Sequence, residues 1–480
     1  MSAIPFLFPA YPELLLLLST LVLLLVGVFV NREASKLVTL LSLITLLGVF
    51  ALVSISNSDD MTTFNNLFVV NTYTLFTKSM ILVAATLSII LIMPWARHEG
   101  IERYELPLIV LFATAGMLIM ISANDFIALY LGLELQSLSL YILSAFNRGS
   151  GKSAEAGVKY FVLGALASGL FLYGVSLIYG FSGTTSFSNL GGDIYSSGYH
   201  IGAVIGMVMV IVSFAFKVSA VPFHMWTPDV YEGAPTPIVA FFSVAPKIAG
   251  LCVLVKILLL PFGGLLNEWR QVLIFLSIAS MLWGGIAAIS QKNIKRLMAY
   301  SSIGHVGYAL IGAVVGTQDG LRGMLYYLFI YLFMNIGVFS VILSMKINNR
   351  FVEDIKDLSG ISKTNPYMSL SLAILMFSMA GIPPLAGFFG KYFVFSAAVN
   401  EGFIVLAVIG VLSSVIAAFY YIRLIKIMYF DVNVNRLEKV DLSTSAVTAL
   451  CTIVIFLFIL LPEPFLIWAD RAAANFFLSL

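Results

Sequence analysis

The chain has 480 residues, of which 60% are hydrophobic and only 10% charged, and its formal net charge is +2. Such a balance excludes a soluble globular protein. Apolar runs of about 20 residues recur from end to end, each long enough to cross a hydrocarbon core roughly 30 Å thick.

Fourteen such runs are predicted, at 9–30, 36–56, 73–95, 104–122, 124–146, 156–180, 200–222, 236–260, 269–290, 296–316, 323–346, 366–399, 402–424 and 442–469. The run after Leu14 is too long and too uncut for a removable signal peptide, so the expected fold class is an all-α polytopic membrane bundle. With the N-terminus outside, seventeen of the 26 Lys and Arg fall in cytoplasmic connections, and only Arg270, Arg322 and Arg471 on the opposite side. Both termini are then expected to be periplasmic.

The remaining six basic residues fall within spans. Lys78 and Lys256 lie near span ends and are expected to snorkel. Glu134 sits mid-span in FIALYLGLELQSLSLYIL, where a carboxylate beside a lysine can trade a proton with small changes of distance or can pin two helices statically. Residues 149–153 read GSGKS, but Phe146 stands where a phosphate-binding loop needs glycine and no strand precedes it. Lys159 follows Glu155 by one turn, which suits either a surface ion pair or a place on a proton path.

Lys217 precedes Pro222, which interrupts the seventh span and should free the carbonyl of Val218. His224, Asp229 and Glu232 flank this break and are candidates to line an aqueous entrance. Lys247 is central in PIVAFFSVAPKIAGLCVLV, where a desolvated lysine can carry a proton. His305 falls near midplane depth, as a relay or a simple bridge between helices. Gly381, Pro383, Pro384, Gly387 and Gly390 break the twelfth span just before Lys391. Cys252 and Cys451 lie in separate spans and read as buried thiols, without the spacing of a zinc or iron–sulfur site. No dinucleotide fingerprint is present, so no redox cofactor is expected on this chain.

Gly157, Tyr160 and Phe161 match Gly323, Tyr326 and Tyr327 at an offset of 166, and Phe216 and Pro222 match Phe377 and Pro383 at 161. Five spans separate the two copies, so the second is expected upside down, as in transporters built from inverted repeats. The expected organisation is a three-helix segment over 1–103, repeats over 104–260 and 269–424, and a C-terminal helix over 442–480.

VPFHMWTPDVYEGAPTPIVAFFSVAPKIA, NIKRLMAYSSIGHVGY and AGIPPLAGFFGKYFVF closely resemble the subunit N family of respiratory complex I, the proton-pumping NADH:quinone oxidoreductase. Its mitochondrial equivalent is NADH dehydrogenase subunit 2. The resemblance covers roughly residues 70 to 430 and implies an antiporter-like subunit that couples quinone reduction elsewhere to proton transfer. It further implies a Glu134–Lys217 ion pair, a central Lys247, a terminal Lys391, His305 between them, and a role for Lys159. It implies NADH, FMN, iron–sulfur clusters and quinone in partner subunits, with subunit M and small subunits such as K as neighbours and no nucleic acid. A bacterial inner membrane is expected, with the mitochondrial inner membrane as the alternative. A subunit of a multi-subunit cation/proton antiporter is the alternative function, since it would use the same lysines; a structural spacer is a third.

Overall fold

The computed structural model describes residues 7–30, 34–56, 60–190, 201–348, 350–432, 437, 438, 440–458, 460 and 462–478. Arg32, Arg436 and Lys439, which entered the charge count, lie outside the described residues. The N-terminal segment is α1 (Tyr11–Phe29), α2 (Ala34–Ile55), a short antiparallel hairpin pairing Met61 with Val70, and α3 (Thr72–His98). Asn71 opens α3 with a capping box, its side chain on the Thr74 amide and Thr74's hydroxyl on the Asn71 amide.

Then come α4 (Glu105–Ser122), α5 (Phe126–Ser144), α6 (Gly151–Ser182), α7 (Ile201–Val218), α8 (Trp226–Gly233) and α9 (Thr236–Leu259). The GSGKS stretch is the cap and first turn of α6, with Ser150 accepting from the Ser153 amide. The second half holds α10 (Leu266–Ile289), α11 (Ile294–Val315), α12 (Gln318–Leu343), α13 (Pro366–Ala380), α14 (Ala386–Asn400) and α15 (Ile404–Phe430). The chain closes with α16 (Leu442–Leu457) and α17 (Glu463–Leu478).

Twelve helical segments are long and apolar enough to cross a membrane among the described residues. The other two predicted spans are divided: 366–399 into α13 and α14, and 442–469 into α16 and the start of α17. Helix α9 is enclosed along its whole length, packed among α3, α4, α7 and α12, whereas α1, α2, α6 and α15 form the outer surface. A charge on α9 is therefore inside protein, not lipid.

The duplication is visible in packing. Gly116 on α4 lies so close to α5 that a Cβ would sit 2.5 Å from the Gln136 nitrogen and 2.7 Å from the Gly132 oxygen. Gly284 on α10 meets the Gly304 nitrogen and the Tyr300 oxygen on α11 at 2.6 and 2.8 Å. Gly116 to Gly284, Gly132 to Tyr300, Gln136 to Gly304, and the helix caps Asp125 to Asn293 are each displaced by 168 residues. In the same sense α6 packs on α8 as α12 packs on α14.

The two breaks have one geometry. Ser219 (φ 67°) ends α7 and Gly381 (φ 85°) ends α13, both left-handed. The Ala220 amide donates to the Ala215 carbonyl (2.8 Å) and the Ile382 amide to that of Phe377 (3.1 Å), the wrap of a Schellman end. The repeat offset at the breaks is thus 162, not 161, and Pro222 corresponds to Pro384. Because Pro383 and Pro384 are adjacent, the sequence alone leaves this register open.

Candidate functional site

Lys217, Lys247, His305 and Lys391 are all enclosed, at 5% exposure or less. At the end of α7, the Lys217 Nζ donates to Ser137 Oγ (2.7 Å) and Tyr141 OH (3.3 Å), one turn apart on α5. Glu134 is one turn before Ser137 and half-buried, and its Oε1 has no hydrogen-bond partner among the described residues. The expected Glu134–Lys217 ion pair is not formed: the Ser137 and Tyr141 hydroxyls take the ammonium instead.

Lys247 donates to Ser302 Oγ (2.5 Å) on α11. Ser302 Oγ in turn contacts Tyr331 OH (2.5 Å) on α12, and Tyr331 OH donates to the Ser243 carbonyl (3.0 Å) one turn before Lys247. With the lysine donating at one end and a carbonyl accepting at the other, the hydroxyl protons point one way, from Lys247 through Ser302 to Tyr331. One turn on from Ser302, His305 places Nδ1 on Tyr327 OH and Nε2 on Tyr421 OH (3.0 Å), and Tyr421 OH reaches Ser301.

Lys391 lies at the second break. Its Nζ donates to the carbonyls of Met379 (3.1 Å) and Ala380 (3.0 Å), and to Ser414 Oγ (2.7 Å). These are end carbonyls of α13, left unpaired by the break and favourable to a cation. The ammonium also lies over the Tyr308 ring, 4.9 Å from its centroid. Ser301, Ser302, His305 and Tyr308 therefore share one face of α11, a polar row running from Lys247 to Lys391. Ser302, Tyr308, Tyr331 and Tyr421 are additions to the sequence-based candidates, and Tyr327, matched there only as a repeat position, joins them. Ser302 and Tyr308 stand three residues either side of His305, which is a helical-face signal, whereas Tyr327, Tyr331 and Tyr421 come from other helices and carry none.

Lys217 and Lys247 are divided by aromatic rings. Tyr141 meets Tyr160 edge-on (4.8 Å), Tyr160 stacks on Trp226 (4.3 Å) and tilts against Phe242 (5.9 Å). Tyr231 faces the Lys247 ammonium with its ring at 5.7 Å, and its hydroxyl is buried without a partner among the described residues.

Lys159 belongs to a separate, more exposed network at α8. It pairs with both Glu155 and Asp229 at 2.7 Å. Arg296 bridges Asp229 (2.8 Å) and Glu232 (3.1 Å), and Lys152 also pairs with Glu232 (3.0 Å). Lys295, enclosed, donates to the Glu232 and Ala234 carbonyls (2.8 and 2.9 Å) and pairs with Glu353 (3.0 Å). Burial pushes the Asp229 and Glu232 carboxyls up, but their cationic partners outweigh it and hold both below the usual range. Next to this network a polar cleft of about 320 Å³ is lined by Glu99, Ser150, Lys152, Glu232, Lys295 and Glu353, among others. His224 stands apart, facing the Trp283 ring at 6.2 Å.

Lys78 and Lys256 do not snorkel. Both are enclosed, Lys78 against Glu13 and Lys256 on backbone carbonyls, because their helices lie inside the bundle at that depth. Among the described residues no group of three or more His, Cys, Asp or Glu is placed to hold a metal ion.

Residues 123–417 match the family model described as NADH:quinone oxidoreductase/Mrp antiporter, TM. The chain is 52% identical over 474 residues to NADH-quinone oxidoreductase subunit N of Paramagnetospirillum magneticum, covering 97% of each. It is 55% identical over 469 residues to NADH-quinone oxidoreductase subunit N of Rhodospirillum rubrum, covering 97% of this chain and 96% of that one. The chain belongs to the subunit N family of NADH-quinone oxidoreductases. A chain of respiratory complex I from Thermus thermophilus, solved with bound aureothin, superposes with a TM-score of 0.81 at 28% identity, over 96% of this chain and 99% of that one. A chain of the Mrp complex from Dietzia sp. gives a TM-score of 0.86 at 20% identity, over 98% of each, which shows a common fold. The subunit N family thus shares its bundle with this chain of the Mrp complex.

Proposed function

We propose that this chain is a proton-translocating membrane-arm subunit of NADH:quinone oxidoreductase, and that Glu134, Lys217, Lys247, His305 and Lys391 move its protons. The observation that carries this reading is the enclosed polar face of α11, on which Ser302 meets Lys247, His305 meets Tyr327 and Tyr421, and Tyr308 lies under the Lys391 ammonium. A hydroxyl chain can pass a proton by accepting at one end and donating at the other. Charged groups at such depth are costly, on the order of 3 kcal/mol each, and are retained where they serve transport. The aromatic rings between Lys217 and Lys247 interrupt the row, so transfer across them needs water or a rearranged Tyr231.

Glu134 is free to approach Lys217 when α5 or its neighbour shifts, and that approach would change how firmly Lys217 holds its proton. Quinone reduction elsewhere in the complex supplies the shift in this reading. Lys159 takes part from the α8 network, beside the cleft that would admit protons from the cytoplasmic side. Residues 104–260 and 269–424 form the two inverted repeats. NADH, FMN, iron–sulfur clusters and quinone reside in partner subunits, with subunit M and small subunits such as K alongside. The chain lies in a bacterial inner membrane with both termini periplasmic. The identities of 52 to 55% to proteins named subunit N favour this over a cation/proton antiporter.

The test is Lys247→Ala in native membranes, with assembly followed on a native gel. An assembled complex in which quinone reduction and pumping fall together supports the reading. Normal activities in an assembled complex would replace it with a structural spacer.

A further inference from the structure

Three charged side chains outside this axis meet where α1 and α3 begin and α4 and α9 end. Glu13 on α1 and Lys78 on α3 are 2.6 Å apart, with side-chain exposures of 4% and 0%. Beyond that contact, neither carboxylate oxygen nor the ammonium has a hydrogen-bond partner among the described residues. The Lys78 Nζ also lies 5.2 Å from the Phe68 ring, and Phe68 bridges Ala123 through the backbone. Lys256 closes the cluster from α9, donating to the carbonyls of Ile121 (2.9 Å) and Ala123 (2.7 Å) at the end of α4. Between those two carbonyls the Ser122 hydroxyl is buried without a partner among the described residues.

Nine residues separate Lys247 from Lys256, about two and a half helical turns, so the two lysines point to opposite sides of α9. Lys256 and Cys252, one turn apart, face α3, where Tyr73 OH donates to the Cys252 carbonyl (2.8 Å). The cluster is therefore a separate site and not an extension of the Lys247 row.

A static pin would be served as well by an apolar contact, and a buried ion pair earns its place structurally only when its remaining lone pairs and protons are satisfied. Here they are not. The Glu13 carboxylate keeps open acceptor positions directly against a proton donor, with a second cation on the same enclosure.

We propose that Glu13, Lys78 and Lys256 form a second proton-holding site, in which Lys78 passes a proton to Glu13 for release at the α1 end of the bundle. In that step an N–H bond of the Lys78 ammonium breaks and an O–H bond forms on Glu13, leaving a neutral amine and a neutral acid. Glu13 then gives its proton to water at the start of α1, where Tyr11, two residues away, is exposed. One proton arriving at the Lys78 amine restores the pair. When Lys256 is charged, it opposes a second ammonium at Lys78 and so favours the transfer. The proposal rests on the reading of this chain as a proton-translocating subunit.

Lys78→Arg separates transfer from pinning, because arginine keeps the charge and the ion pair but does not release its proton. The purified complex carrying Lys78→Arg is reconstituted in liposomes, beside Lys247→Ala, and protons moved per NADH oxidised are measured. The expected result is an assembled complex whose proton ratio falls. An assembled Lys78→Arg complex with an unchanged ratio overturns the second site. Should that variant fail to assemble, the double change Glu13→Leu with Lys78→Met replaces the pair by an apolar contact. A lowered ratio in the double variant supports the proposal, and an unchanged one overturns it. If Lys247→Ala lowers NADH oxidation and pumping while the cluster variants leave the ratio unchanged, only the second site fails; if Lys247→Ala leaves both activities normal, the underlying function fails with it.

Discussion

Lys247 is held by a single serine hydroxyl, and that hydroxyl has no acceptor other than Tyr331 among the described residues. Removing Ser302 leaves the ammonium enclosed without its hydrogen-bond acceptor, at a cost of about 1–3 kcal/mol for the stranded donor. Ser302→Ala is expected to slow coupled NADH oxidation about tenfold while the complex still assembles, measured as turnover per assembled complex. Tyr331→Phe removes the donor to Ser243 but leaves the serine in place, so its effect is expected to be smaller in the same assay. The lysines and His305 were legible in the sequence because each is a polar island in an apolar run. Their partners were not. Serine and tyrosine are ordinary in such runs, and only tertiary packing decides which of them meets a lysine. Glu134 shows the converse: its presence was legible, but its distance from Lys217 depends on how α5 is turned against α7.

At the scale of elements, the glycine contacts fix how closely α4 meets α5 and α10 meets α11. A side chain at Gly116 or Gly284 would strike backbone, which cannot yield as a side-chain tip can. Gly116→Val and Gly284→Val are each expected to cost at least about 1–3 kcal/mol and to lower the amount of assembled complex on a native gel by similar factors. The α8 network has its own pH signature. Asp229 and Glu232 titrate below their ordinary values, so their pairs stabilise the folded chain fully above the ordinary carboxylate range. That contribution is lost as pH falls through the lowered values. The protection of α8 amides relative to their intrinsic exchange rates is therefore expected to be unchanged between pH 6 and 8 and to fall only in acid below about pH 4. The breaks themselves were legible from proline and glycine. Their register was not, because it is set by which carbonyl the chain wraps back onto.

For the whole molecule, span count and depth followed from apolar length alone, since a bilayer imposes both. Depth failed as a guide to Lys78 and Lys256. Nearness to a span end suggested a route to water, but the ends of α3 and α9 are themselves wrapped by other helices, and Glu13 was hidden at the start of a leucine-rich run. The bundle places one polar row across its centre and surrounds it with helices whose outer faces are apolar. The central claim is that Lys247 in this row gives up and regains a proton in each cycle. Its most direct test is Lys247→Arg in the reconstituted complex, following proton uptake and NADH oxidation together. Arginine preserves the positive charge but holds its proton, so an assembled complex with pumping abolished is the expected result. Normal proton movement in that variant would contradict the claim, because the lysine would then be needed only for its charge.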